Sequence, residues 1–387
     1  MASTLFESSE LTLIANAMQE RWPHWQRPTA VSNPRFRART EALVEKLARA
    51  ARRGRSRTRS VRRFSLLELK LMRLALLDRC RRLNESGLTG ALAEKLAALV
   101  RGRQFIDLPE NRVRWGTTIP YLLFNAAAIV GAIFFPPRWQ DLLLCLSLYL
   151  VRMFAVGGGL HRYFSHKSYS TSRAFQFLLA LLATTCGQQG PIWWASQHRH
   201  HHRFSDAPED FHSPTQRGFF WAHQLWVFTD RAQQTDRSTV RDLLKFPELR
   251  WLDSHWLVSL VGFALVLLVA GGLRAVEWGF FASTVLLWQV SYGVNSLAHL
   301  VGRRRFATAD TSRNSWILAI LSLGDGWHNN HHFYPGSMRA GFYWWEVDVT
   351  GYVIRALAKV GLVWNVRTPP KHVLELGRRR PATPVVA

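Results

Sequence analysis

Fifteen histidines occur in this 387-residue chain, and most of them are clustered. HRHHHRFSD, residues 198–206, sets histidines at 198, 200, 201 and 202 beside an arginine and ahead of an acidic stretch. Two further clusters flank it, HRYFSH at 161–166 and HNNHH at 328–332. On a helix advancing about 100° per residue, His198, His201 and His202 share one face while His200 points roughly opposite to His198. His328, His331 and His332 repeat the same i, i+3, i+4 spacing. His161 and His166, at i, i+5, stand about 140° apart on a continuous α-helix, so they straddle a site or mark a helix end. A single histidine reads as a solvated or core residue. Three clusters at one depth read as metal ligands.

Imidazole without thiolate suits zinc, copper, nickel and iron. The three cysteines, Cys80, Cys145 and Cys186, form no CxxC pair, which argues against a zinc-thiolate site and a disulfide framework. The clustered histidines exceed what one tetrahedral or octahedral centre uses, so two adjacent metals are expected. A histidine-ligated iron pair beside a membrane points to O2 activation for attack on an unactivated hydrocarbon, a redox task closed to zinc. The competing readings are a hydrolytic zinc enzyme and a membrane metal-binding or transport protein without redox turnover. A transporter would place polar ligands inside its spans, and the spans here are nearly free of them.

The elements that position the clusters are apolar blocks separated by charge. Hydrophobic residues make up 48% of the chain, with 17 tryptophans, and the formal net charge is +24. That charge implies a polyanionic neighbour, and the apolar blocks favour a membrane over nucleic acid. Four blocks approach the ~20 apolar residues that cross a ~30 Å hydrocarbon core, at roughly 116–135, 141–159, 256–273 and 278–298. Short turns join the first to the second and the third to the fourth, so they pair as two hairpins. The expected fold is therefore all-α and integral to the membrane, four transmembrane helices in two hairpins, with a helical cap holding a histidine-rich dimetal site. Those turns carry one arginine each, Arg138 and Arg274, whereas Arg303, Arg304 and Arg305 follow the fourth block. The positive-inside rule then puts the cap, the 160–255 segment and both termini in the cytoplasm. FQFLLALLATT at 175–185 is too short to cross and belongs in the interface or against the bundle. The opening MASTLFESSELT lacks the basic start and apolar run of a signal peptide.

Taken together, HRYFSH, WWASQHRHHHRFSD, NSLAHL and GWHNNHH resemble the membrane fatty acid desaturases, in particular the acyl-CoA, stearoyl-type delta-9 branch. The resemblance covers about residues 113–370, and PIWWA before the second cluster and YPGS after the third look most like bacterial members. It implies removal of two hydrogens from adjacent methylenes of a saturated acyl chain, with O2 as co-substrate and two Fe ions as cofactor. It further implies a bacterial cytoplasmic membrane, a fatty acyl-CoA or lipid substrate, and metal ligands His161, His166, His198, His201, His202, His299, His328, His331 and His332. Asn295 would hold a metal-bound water. His200 occupies the variable place of HRxHH and is not expected to ligate. Each ligating imidazole needs an acceptor for its other N–H, and Asp206, Glu209, Asp210 and Asp325 are the candidates. His212 and His223 resemble structural or substrate-side positions. Phe211 stands where relatives often carry proline. Gly157, Gly158 and Gly159 read either as a close approach for an acyl chain or as a helix-end break. A membrane hydroxylase or an acyl-lipid desaturase is the alternative within the same chemistry.

Residues 1–112 form a basic, partly helical extension outside the resemblance, and 371–387 a basic C-terminal tail. No His-Pro-Gly-Gly motif of a fused cytochrome b5 occurs. Electrons are expected from a separate cytochrome b5- or ferredoxin-type carrier with its reductase. The run RAARRGRSRTRSVRR at 49–63 suits anionic lipid, at roughly 1 kcal/mol per basic residue near the surface. It has no aromatic platform or fold motif for nucleic acid.

Overall fold

The computed structural model describes residues 113–378 except Pro208, together with short stretches of the first 112 residues. The chain divides into two compact units, Met1–Arg112 and Val113–Ala387. In the first, residues 12–18 and 42–45 are helical, and Leu5–Phe6 pairs antiparallel with Arg59–Ser60. Ile14, Met18, Leu43 and Leu76 are buried, so this unit has apolar core residues of its own. Most of the arginine run at 49–63, and the tail beyond Arg378, lie outside the described residues.

The second unit is helical. Among its described residues, three runs are long and apolar enough to cross a membrane: Trp115–Phe134, Trp139–Ser165 and Trp256–Leu300. The first is helix α1. Its large side chains Leu123, Ile129, Ile133 and Phe134 point outward, forming the kind of apolar surface a bilayer covers. The second is α2 (Trp139–Phe154) continued by a π-helical segment, Ala155–Ser165. The third holds α5 (Trp256–Ala275), a π-helical segment Val276–Ala282, and α6 (Ser283–Leu300). Its 45 residues are about twice what one crossing needs. The backbone leaves helical geometry at Gly271 and Gly272, where φ reaches 67° at a residue with no Cβ to oppose it.

The turn at Pro136 is tied to the region of that break. Arg274 donates to the Pro136 carbonyl at 3.0 Å and to Asp141, while Trp278 Nε1 donates to the Phe135 carbonyl at 3.0 Å. Between the second and third runs lie α3 (Arg173–Thr184) and α4 (Pro191–Phe204). Helix α3 begins at Ser172, whose side chain accepts from Phe175 N–H. It buries Leu179, Ala180 and Ala183 while exposing Leu178 and Leu181. Helix α4 begins with Pro191 at its first position, and Asp253 accepts from the N–H groups of Ile192 and Trp193, satisfying donors that have no helical partner.

After α6 come α7 (Trp316–Leu321), α8 (His328–Phe333), α9 (Val349–Lys359) and α10 (Lys371–Arg378). Helix α10 packs Val373 with Phe306, Phe342 and Tyr343, so the tail is anchored as far as Arg378. The main core gathers Met153, Leu160 and Phe164 from the second run with Leu179, Ile192, Leu287 and Leu318.

Candidate metal centre

The π-helical segment resolves the i, i+5 spacing of the first cluster. Its turns close by i→i+5 hydrogen bonds, so residues five apart come onto one face. His166 N–H donates to the His161 carbonyl at 3.2 Å in that pattern. Gly157, Gly158 and Gly159 neither end this helix nor interrupt it. Gly157 instead leaves room for Asp325, whose Oδ2 would lie 3.0 Å from a Cβ there.

The ligating atoms of the histidines gather into two groups, each within 4.8 Å. One is His161, His166, His198, His202 and His331, and the other is His201, His299, His328 and His332. All nine side chains proposed from the sequence are therefore brought together, and α4 and α8 each serve both groups. Asn295, one turn before His299 on α6, lines the cavity next to His201 and His328. His200 belongs to neither group: its Nε2 meets the Glu209 carbonyl at 2.9 Å and its ring stacks on Phe211. His223 is held by Ser296 and Gln289. His212 lies against His201, ring centroids 4.4 Å apart, and with Asp210 makes a third possible donor set.

Four carboxylates orient the rings. Asp325 faces His161 Nδ1 at 3.2 Å, Asp210 faces His201 at 2.9 Å, Asp206 faces His299 at 3.0 Å and Asp310 faces His332 at 2.7 Å. Each carboxylate accepts a hydrogen bond from Nδ1–H, which leaves the lone pair of the neutral ring on Nε2. Glu209 departs from expectation, since its side chain is exposed and only its carbonyl reaches a histidine. Asp310 takes the place expected of it. Nothing in the spacing of ATADTS marks Asp310, except that an Asp two residues before Ser312 makes a local turn bond, 3.0 Å from the Ser312 N–H.

Three further ties went unread because their residues repeat no pattern. Arg199, inside the second cluster, donates to the carbonyls of Phe164 and Ser165 and to Asp242, strapping α4 to the π-helical segment. Arg162 lies fully buried between Asp325 and Asp348, 2.9 Å from each. Asn314 Oδ1 accepts from the N–H groups of Asn329 and Asn330 and so caps the start of α8.

The ring nitrogens converge. The Nε2 atoms of His166 and His198 stand 2.7 Å apart, those of His299 and His328 3.1 Å apart, and His331 Nε2 lies 2.8 Å from His161 and 3.0 Å from His202. One N–H on His331 can serve only one of its two neighbours. His332 Nε2 and His328 Nδ1 are buried without any partner. Burial pushes His166, His198, His202, His328 and His331 well below the usual imidazole range, and neighbouring imidazoles push the same way, so these rings are neutral. For His201 burial acts downward too, but the Asp210 carboxylate outweighs it and the net shift is upward. Converging neutral imidazoles with orphaned lone pairs fit metal cations and little else.

A cavity of about 340 Å³ starts at His161, His198, His201 and His328. It continues past Trp288, Phe124 and Leu260 between the long helices. Its volume falls in the range of about 300–1,000 Å³ usual for small-molecule sites.

The fatty acid desaturase profile matches residues 137–367, more than half of the chain. The chain belongs to the fatty acid desaturase family. It is 37% identical over 264 residues to the sn-2 palmitoyl-lipid 9-desaturase of Nostoc sp. (strain 36), covering 67% of this chain and 92% of that one. It is 34% identical to Delta-9 acyl-lipid desaturase 2 of Arabidopsis thaliana, covering 70% and 88%. It is 32% identical to the Acyl-CoA C20 Delta5-desaturase of Anemone leveillei, covering 66% and 84%. The names of these relatives divide between acyl-lipid and acyl-CoA substrates. As a fatty acid desaturase the chain is an oxidoreductase of fatty acyl chains and a membrane protein, and its two histidine groups are where such an enzyme could hold metal.

Proposed function

We propose that the chain converts a saturated fatty acyl chain to a monounsaturated one, with the nine histidines holding two iron ions and Asn295 a water beside them. The observation that carries this reading is the pair of histidine groups at the head of an apolar cavity. Iron bound there would supply activation of O2, and the overall change is –CH2–CH2– + O2 + 2e⁻ + 2H⁺ → –CH=CH– + 2H2O.

The protein's own part is positioning and exclusion. Asp325, Asp210, Asp206 and Asp310 fix four rings by their Nδ1 protons and hold the opposite lone pairs toward the site. Trp288, stacked on Tyr121 with centroids 5.0 Å apart and close to Phe124, forms an aromatic wall that keeps an acyl chain in line and water out. Two electrons come from a separate cytochrome b5- or ferredoxin-type carrier with its reductase. The break at Gly271 and Gly272 turns the third long run back on itself, giving four crossings in two hairpins, with the histidines, the cap and both termini on the cytoplasmic side. Residues 1–112 are an accessory basic unit that contacts anionic lipid through its arginines.

Expression in a host lacking its own desaturase, followed by fatty acid profiling, tests the reading. New monounsaturated chains are expected. Hydroxylated chains would make the enzyme a hydroxylase, and an unchanged profile with full iron loading would leave a metal-binding protein.

A further inference from the structure

The walls of the cavity carry a second message, about what brings the acyl chain in. Among the described residues no lysine or arginine lines it, although the chain has 50 of them. Coenzyme A is a polyphosphate, and phosphate recognition runs on arginine and lysine. The polar lining away from the histidines includes glutamines 189 and 233. Gln189 Nε2 donates to Gln233 Oε1 at 3.2 Å, and Gln233 Nε2 donates to the Val227 carbonyl at 3.0 Å. The backbone of Gln189 sits at φ 61°, in the left-handed region that costs a residue with a Cβ. Gly187 just before it is also left-handed, and a Cβ there would meet the Trp288 ring at 2.9 Å. A strained turn is thus packed rigidly in place, and it presents an amide to the cavity.

The amide pair lies beside the start of α1, because Arg114 N–H donates to the Phe228 carbonyl at 2.7 Å in the same segment as Val227. Gly116 and Pro120 from the first turns of α1, and Trp256 and Leu257 from the first turn of α5, complete this part of the wall. Leu257 is 55% exposed and Trp115 63%, so the wall opens on an apolar surface. Pro120 has no N–H to give the Gly116 carbonyl, which leaves an oxygen at the opening without its usual helical partner. An opening set between the ends of two apolar spans faces the interfacial layer of the bilayer, where ester groups of lipids lie.

Building on the desaturase reading, we infer that the acyl chain enters sideways from the bilayer while still esterified to a glycerolipid. It passes between the first turns of α1 and α5, and the Gln189–Gln233 amide pair holds the ester group. The amides donate to the ester carbonyl, and the aromatic wall beyond them receives the methylenes. A chain carried on coenzyme A would instead bring phosphates to a wall whose described residues include no cation.

The test uses full-length, iron-loaded protein with carrier and reductase in dioleoyl phosphatidylcholine discs. One set contains deuterated dipalmitoyl phosphatidylcholine, and the other receives deuterated palmitoyl-CoA. Mass spectrometry of intact lipids and thioesters shows which labelled pool gains the double bond. The expected result is unsaturation in the glycerolipid pool, without transfer through free acid or thioester. Gln189→Ala and Gln233→Ala should each raise KM for the lipid roughly 3–10-fold with iron content and kcat retained, the effect of losing one neutral hydrogen bond. Unsaturation confined to the thioester pool overturns the inference and leaves the desaturase reading standing. Wild-type KM in both variants overturns the role of the amide pair. No product in either pool from iron-loaded protein removes the desaturase reading, and the inference falls with it.

Discussion

His161 and His166 are joined by their own backbone, the N–H of the second donating to the carbonyl of the first at 3.2 Å. Five residues apart, they face one metal group only because the segment from Ala155 to Ser165 is wound as a π-helix. Deleting Gly159 would restore α-helical pitch across the segment and swing His166 away. The expected outcome is loss of the metal held by the first group, read as iron content falling from about two toward about one per chain.

His200 and His201 give the sharpest contrast on α4. His201→Ala removes a ring of the second group and the one imidazole within 3 Å of the buried Asp210 carboxylate, which keeps only the Asp206 and His212 N–H groups and the more distant His212 ring; product should vanish. His200→Ala removes a contact to a carbonyl and ring contacts to Phe204 and Phe211, none of them to a metal group, so iron content should stay at the wild-type level and activity within a few-fold. Equal losses in the two variants would mean the grouping of rings is wrong.

Asp310 is expected to matter as much as the carboxylates nearer the clusters. Its removal frees His332 to rotate and to change tautomer, and outer partners of this kind are typically worth 10–100-fold in metal affinity. Asp310→Ala should weaken iron retention by about that factor in a chelator competition, while Glu209→Ala, an exposed side chain, should have no effect.

Gly157→Ala tests the tight fit beneath His161. The new methyl would lie 3.0 Å from Asp325 Oδ2, and Asp325 cannot yield because Arg162 holds its other oxygen at 2.9 Å. Lower iron occupancy is expected with the membrane-inserted yield unchanged; normal occupancy would show that the site has slack.

Asp242 ties acid sensitivity to the strap through Arg199. Burial alone would raise its pKa, but hydrogen bonds and charge from Arg199 and Lys167 outweigh that and hold it at about 2. A carboxylate depressed in the folded state stabilises above its ordinary pKa, and that stability is lost as pH falls through roughly 4 toward 2. Solvent screening limits the contribution to about 1 kcal/mol. Asp242→Asn should therefore lower thermal stability at neutral pH and show a smaller further drop between pH 4 and 2 than the wild type.

Much of the candidate site was legible because ligating imidazoles obey helical periodicity. The common face of His198, His201 and His202, with His200 turned away, follows from 100° per residue. That face being divided between two metal groups does not follow, since it depends on where α8 crosses α4. The i, i+5 pair could not be placed while an α-helix was assumed, because nothing local in AVGGGLHRYFS announces π winding. Asp310 and Arg199 were missed for a different reason: a lone acid in a loop and an arginine inside a histidine run act through tertiary contacts that leave no sequence period. The apolar blocks were readable from composition, but their ends were not. The second helix runs on to Ser165 because the histidine-bearing turns continue it rather than follow it.

Both histidine groups draw on α8, near the far end of the chain. A ribosome that has released everything up to residue 327 has supplied only four rings of the first group and two of the second. The first group has its full set of rings only once His331 has emerged and the second only once His332 has, and Asn314 must then cap α8. On the proposed reading, metal loading would thus be a late step in biogenesis, after the membrane-spanning runs have been made. Translation and metal loading would then be separable, because the chain can be made through all its apolar runs before either ligand set is closed by α8.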